Sequence, residues 1–318
     1  MTPLLQRLQS GSVVVGDGAW GTMLFARGLR AGEPPESFNL TRPDVLEEIG
    51  RLYVEAGAEL LTTNTFGGSP LRLRPYGLED QIDPINTGAV ECARRAAAGR
   101  AWVSASIGPS GRLLKPYGDT SAEEIAGGFA RQIRVLAAAG ADLLCIETMT
   151  DLEEAVLALT AARRVAPGLP VMATMTFDPT PRGYFTVMGQ SVPQAVERLT
   201  AAGAVVLGSN CGHGVETMVG IAREFRSHTA LPLAIQANAG LPVSRAGELV
   251  YPETPDFVAA NVPALLDAGV RLIGGCCGTT PAHIRAIRDR VDAATSAQSP
   301  KTTPKAGCDR TAEEDPCR

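Results

Sequence analysis

The chain has 318 residues, a formal net charge of −5 and 45% hydrophobic residues. That length can bury one large core, and the acidic balance gives no electrostatic motive for a nucleic-acid or anionic-membrane partner. Only 5% of residues are aromatic, so aliphatic side chains must fill the core, a composition that suits parallel strands buried on both faces.

No apolar stretch approaches the ~18 residues of a membrane span, and the opening "MTPLLQRLQSGS" lacks the apolar core of a signal peptide. A cytoplasmic protein is expected. Its seven cysteines are an odd number without a short-spaced framework, which points to burial or metal binding over disulfides.

One pattern recurs along the chain. A short β-rich apolar run ends in Gly, Asn, Thr or an acidic residue, and an Ala-, Leu- and Arg-rich helical stretch follows. In order the runs are "SVVVGDGA", "ELLTTNTF", "WVSASIGPSG", "DLLCIETM", "VMATMTFD", "AVVLGSNCG", "LAIQANAG" and "RLIGGCCG". Several follow an "AGA" or "AGV" step, read as a glycine helix stop feeding the next strand. Between runs one and two, Val45, Leu46, Ile49, Leu52 and Tyr53 recur at helical spacing behind Thr41, the candidate cap. After run three, Ser121 with Glu124 three residues on has the pattern of a capping box. Eight strand–helix alternations predict a single α/β domain, a (β/α)8 TIM-type barrel over residues 1–293. An open doubly wound sheet is disfavoured, because "GDGAWGTM" lacks the G-x-G-x-x-G spacing. Residues 294–318 are polar, contain Pro and lack periodicity, and are expected to form a short disordered tail carrying Cys308 and Cys317.

In a barrel the active site gathers at the C-terminal ends of the strands. The sixth run ends in Asn210 and Cys211, and the eighth in Cys276 and Cys277. These runs stand two steps apart on the rim, so three thiols can converge on one soft or borderline metal, most often Zn2+. Neighbouring side chains of an extended strand point to opposite faces, so the adjacent pair needs a break, which Gly274 and Gly275 are expected to supply. Three protein ligands leave the fourth tetrahedral position open, the mark of a catalytic site. Cys92 and Cys145 read as small buried hydrophobes. His213 is a tempting fourth ligand, but a loop position favours exposure or capping. His283 reads as structural on the last helix, and His228 as surface.

The motifs "DGAWGT", "TTNTFGG", "IGPSG", "ETM", "MTFD", "GSNCG", "NAG" and "GGCCGTTPAHI" occur in this order between about residues 10 and 290. In this the chain resembles the homocysteine S-methyltransferase family, and the wording is closest to the homocysteine module of cobalamin-dependent methionine synthase. The resemblance implies a (β/α)8 barrel with zinc on Cys211, Cys276 and Cys277. It implies that Asp17 and Glu147 hold the ammonium of homocysteine, with backbone amides near Gly18 and Ala19 on its carboxylate. Both acids directly follow apolar runs, which is costly unless each meets a cation or donor. Asn210 could orient the metal shell or the substrate.

The implied reaction is methylation of homocysteine to methionine, the thiol being activated as a zinc thiolate. Three thiolates on Zn2+ leave about one net negative charge and a fourth about two, which keeps the sulfur nucleophilic. Betaine is disfavoured as donor, because Gly67 follows Phe66 and Thr148 follows Glu147 where a cation–π cage would need aromatics. No folate or cobalamin domain follows the barrel in this sequence. The methyl group is therefore expected from methylcobalamin on a separate corrinoid protein or from S-methylmethionine. The long loop "FDPTPRGYFTVMGQS" is the expected contact for donor or partner. Two alternatives stand: a thiol-methyltransferase subunit of a corrinoid-dependent demethylation system with another acceptor, or a non-catalytic zinc-binding barrel.

Overall fold

The computed structural model describes residues 2–245 and 248–298. Eight parallel strands make the central sheet: β1 (Val14–Val15), β2 (Leu60–Thr62), β3 (Trp102–Ile107), β4 (Leu143–Met149), β5 (Val171–Met175), β6 (Val206–Asn210), β7 (Leu233–Ala237) and β8 (Val270–Gly275). Each pairs with its sequence neighbours, and β8 pairs back onto β1. The Gly16–Leu60 bridge joins β1 to β2 and completes the ring. These are the eight runs read from the sequence, so the TIM-type (β/α)8 fold stands.

The side-chain period of two sets what each strand contributes inside and outside. Val14, Leu60, Leu143, Met172, Val206, Ala234 and Leu272 form one small buried cluster with Leu4 and Leu8 of the helix Pro3–Gln9. They fill the lower barrel, and the N-terminal helix plugs it. The intervening residues, such as Val15, Leu61, Val103, Leu144, Ile146 and Ile273, belong to the large cluster shared with the surrounding helices. Two residues above the inner positions Leu60, Ser104, Cys145, Gly208 and Ala234 stand Thr62, Ser106, Glu147, Asn210 and Gln236. The inner face thus turns polar only at its upper end, where active sites of this architecture lie.

Local signals held in part. The glycine stops Gly57, Gly140, Gly203 and Gly269 all have positive φ, the left-handed turn that a side chain resists. Thr41 does not cap: it lies inside a short preceding helix, its hydroxyl donates to Ser37 O, and Arg42 precedes Pro43–Glu55 without a side-chain cap bond. Ser121 does cap by accepting from Glu124 N–H, but the Glu124 carboxylate pairs with Arg74 and closes no box. The reciprocal box forms at Ser191 and Gln194. The last helix, Pro281–Gln298, runs beyond residue 293. The rest of the expected tail, with Cys308 and Cys317, lies outside the described residues.

Candidate active site

The upper end of the barrel opens into a cavity of about 400 Å³ lined by residues that include Asp17, Glu147, Cys211, Cys276 and Cys277. Strand β6 ends at Asn210, and Cys211 turns at once into the left-handed region with φ 61°. A non-glycine residue there costs on the order of 1–3 kcal/mol, a strain that concentrates at functional sites. Thr148, just after Glu147, is held likewise at φ 58°. On the other side β8 ends at Gly275, so Cys276 and Cys277 already lie in the turn that follows.

The role of Gly274 and Gly275 differs from the expectation. Neither has a positive φ; the left-handed residue is Gly278, at φ 80°. The two glycines are required by close approach instead. A Cβ on Gly275 would stand 2.2 Å from Thr279 Oγ1, and one on Gly274 would stand 3.0 Å from Asp17 O. They let the cysteine turn fold tightly over β1, with Gly275 N–H donating to Asp17 O (2.8 Å).

The three sulfurs all lie within 4.8 Å of one another, and Cys211 Sγ is 3.9 Å from Cys277 Sγ. Two sulfurs on one tetrahedral zinc, each bonded at about 2.3 Å, stand about 3.8 Å apart. The donor set therefore fits zinc in both chemistry and spacing. All five described cysteines are free. Hydrogen bonds from Cys276 and Cys277 hold the Cys211 thiol far below its ordinary range, and the same bonding pushes the Cys276 thiol up. His213 is not in the cluster. Its Nε2 lies 2.9 Å from Asp178 Oδ1, on the hairpin after β5.

Asp17 and Glu147 are buried at the cavity wall. Asp17 accepts from Thr62 N–H (2.7 Å), Thr62 Oγ1 (2.8 Å) and Trp20 Nε1 (2.9 Å). Burial still pushes its carboxyl up to about 6. Glu147 accepts from the Ser106 hydroxyl and from Asn210 Nδ2 (3.1 Å). Burial raises its carboxyl to about 7 against that bonding, and the nearby Asp17 charge adds to the rise. Asn210 is wholly buried and ties the rim together. Its Oδ1 accepts from Thr148 N–H (2.8 Å) and Thr174 Oγ1 (2.7 Å), and its Nδ2 also reaches Thr148 Oγ1 (2.7 Å).

Gly18 and Ala19 line the cavity too. The Ala19 N–H is directed at Thr279 Oγ1 (3.1 Å), and Tyr53 donates to Ala19 O (2.7 Å). That amide is thus engaged by the protein itself. Among the described residues, none of the loop 177–191 lines this cavity. Asp178–Thr180 and Gly183–Phe185 form an antiparallel hairpin instead. Cys92 and Cys145 are buried at 2% exposure each, and His283 bonds Thr280 N–H and Glu253 O at the start of the last helix. His228 is exposed.

Sequence reasoning passed over Thr62, Ser106, Trp20, Gln236, Glu36 and Arg72. The first two and Gln236 were findable, since parity along β2, β3 and β7 places them inward at the strand ends. Glu36 and Arg72 sit on the short helical segments Pro35–Ser37 and Pro70–Leu73, whose approach to the cavity has no local signal.

Comparison with known proteins shows the family of the chain. The family model for homocysteine S-methyltransferase matches residues 14–291, and the chain belongs to that family. It is 35% identical over 305 residues to the methionine synthase of Mycobacterium tuberculosis, and 34% identical over the same length to that of Mycobacterium leprae. Each match covers 90% of this chain but only 25% of the relative, so the chain spans about a quarter of their length. Among solved structures, the homocysteine methyltransferase MmuM of Escherichia coli in its metallated form superposes with a TM-score of 0.76 at 27% identity, covering 91% of this chain and 100% of that one.

Proposed function

We propose that the chain is a zinc-dependent homocysteine S-methyltransferase that forms methionine. The observation that carries this reading is the opening of the three-thiol cluster and the two buried carboxylates onto one cavity. Zinc, when bound, supplies the charge that removes the proton from a substrate thiol and keeps the sulfur nucleophilic. Cys211, Cys276 and Cys277, whose sulfurs lie within 4.8 Å of one another, would hold it; that the similar protein MmuM has a metallated form supports a metal in the family. Asp17 and Glu147 bind the ammonium, which meets the need of two desolvated carboxylates for a cation. Gln236 Oε1, buried and without a hydrogen-bond partner among the described residues, offers a further acceptor in the same cavity. With the Ala19 amide engaged, the Gly18 amide takes the carboxylate. Asn210 positions Glu147 through its bond to the carboxylate. The cavity walls exclude water and bring acceptor and donor together.

The protein works in the cytoplasm, where its thiols stay reduced. Methyl comes from methylcobalamin on a separate corrinoid protein or from S-methylmethionine. The test is a donor screen on zinc-loaded protein with homocysteine and other thiols, using free methylcobalamin, S-methylmethionine, betaine and methyltetrahydrofolate. Methionine should form with zinc and cease after chelation. Preference for another thiol would give the demethylation-system reading its place.

A further inference from the structure

The same cavity is lined by two further charged residues that the homocysteine reading leaves unused. Glu36, 3% exposed, lines it beside Phe66, Pro34 and Tyr76. Its carboxylate accepts from Gly67 N–H (2.6 Å), with no side-chain donor among the described residues. Burial pushes this carboxyl up, and the Arg72 charge offsets part of the rise. Arg72 lines the same cavity. Among the described residues its guanidinium makes no hydrogen bond or ion pair. A buried carboxylate and an exposed cation, the latter also acting on the nearby Glu154, thus line one cavity without a direct bond between them among the described residues. That arrangement complements a group carrying both charges, an amino-acid head.

Resting on the homocysteine reading, we propose that Glu36 and Arg72 bind the ammonium and carboxylate of an S-methylated amino acid, the methyl donor. Glu36 is assigned to the ammonium, not the reacting sulfonium, for an energetic reason. As methyl leaves, the sulfonium loses its positive charge, so a carboxylate beside it would stabilise ground state over transition state. The S–CH3 bond of the sulfonium breaks with its electron pair staying on the leaving thioether. The homocysteine thiolate supplies the pair for the new C–S bond. Betaine carries no N–H for Glu36, and methylcobalamin has no amino-acid head.

The test compares S-methylmethionine, dimethylsulfonioacetate (a carboxylate without ammonium) and free methylcobalamin as donors, in the zinc-loaded parent, Glu36→Gln and Arg72→Gln. Homocysteine binding is measured separately by calorimetry in all three proteins. The parent should prefer S-methylmethionine. Each variant should raise its KM at least about tenfold, with kcat within about threefold and homocysteine affinity unchanged. Unchanged donor KM in both variants, or equal use of dimethylsulfonioacetate by the parent, overturns the assignment while homocysteine still binds. Absence of homocysteine binding in the parent overturns the underlying reading instead.

Discussion

Replacing Glu147 by Gln separates what this carboxylate costs the fold from what it does for a ligand. Burial holds the group at about 7 against an ordinary 4.5, because the barrel excludes water faster than Ser106 and Asn210 replace it. At about 1.4 kcal/mol per unit, a rise of that size corresponds to roughly 3 kcal/mol of stability lost when the group ionises. The sign follows from proton binding. Between 4.5 and about 7 the folded chain keeps a proton that the unfolded chain has released. Stability is therefore fully present below 4.5 and is lost as pH rises through about 7. Gln carries no charge at any pH, though its amide must still satisfy Ser106 and Asn210. In urea unfolding, E147Q should lie within about 1 kcal/mol of the parent near pH 5 and exceed it by about 2–3 kcal/mol near pH 8. Calorimetry on the same samples should show homocysteine affinity falling at least about tenfold, the loss expected for a charged hydrogen bond. A variant less stable than the parent at the higher pH, or one that binds homocysteine as before, refutes the reasoning.

Cys276→Ala should abolish stoichiometric zinc while leaving the far-ultraviolet circular dichroism of the barrel unchanged. Full zinc occupancy by elemental analysis would remove Cys276 from the ligand set. Because Asp17 and Glu147 ionise only near 6 and 7, the KM for homocysteine should climb at least about tenfold between about pH 7.5 and 5.5. The climb should be shallower in E147Q, and a flat parent profile would exclude these acids from binding. Gly208→Ala places a Cβ 1.7 Å from Ala234 O across the β6–β7 pair. It should cost about 3 kcal/mol or more, read as a lowered urea midpoint or loss of soluble protein; a parental midpoint would show that the ring gives way at that point.

How far the site was legible depends on how local its signals are. Cys211 and the Cys276–Cys277 pair end strands, and counting strands placed those ends on one rim. Asp17, just past β1, and Glu147, near the end of β4, were implied by the family resemblance, and their position after apolar runs agreed with it. Thr62, Ser106 and Gln236 obey that rule as well, but Thr, Ser and Gln are common enough at strand ends to carry no signal alone. Thr41 misled because Pro43 starts its helix two residues later. The hydrogen bond of the Ala19 amide to Thr279, some 260 positions away in sequence, had no local signal.

The sequence by itself determined the barrel, through eight apolar runs separated by glycine-stopped helices, and it determined which residues stand at the strand ends. Those are consequences of period-two and period-3.6 patterning, which act within a few residues. Only the tertiary structure decided that Glu36 and Arg72 face the same cavity as the thiols and that the hairpin loop after β5 does not. Loop placement is set by packing against distant partners, such as Gly67 for Glu36 and His213 for Asp178, and no local spacing encodes such contacts.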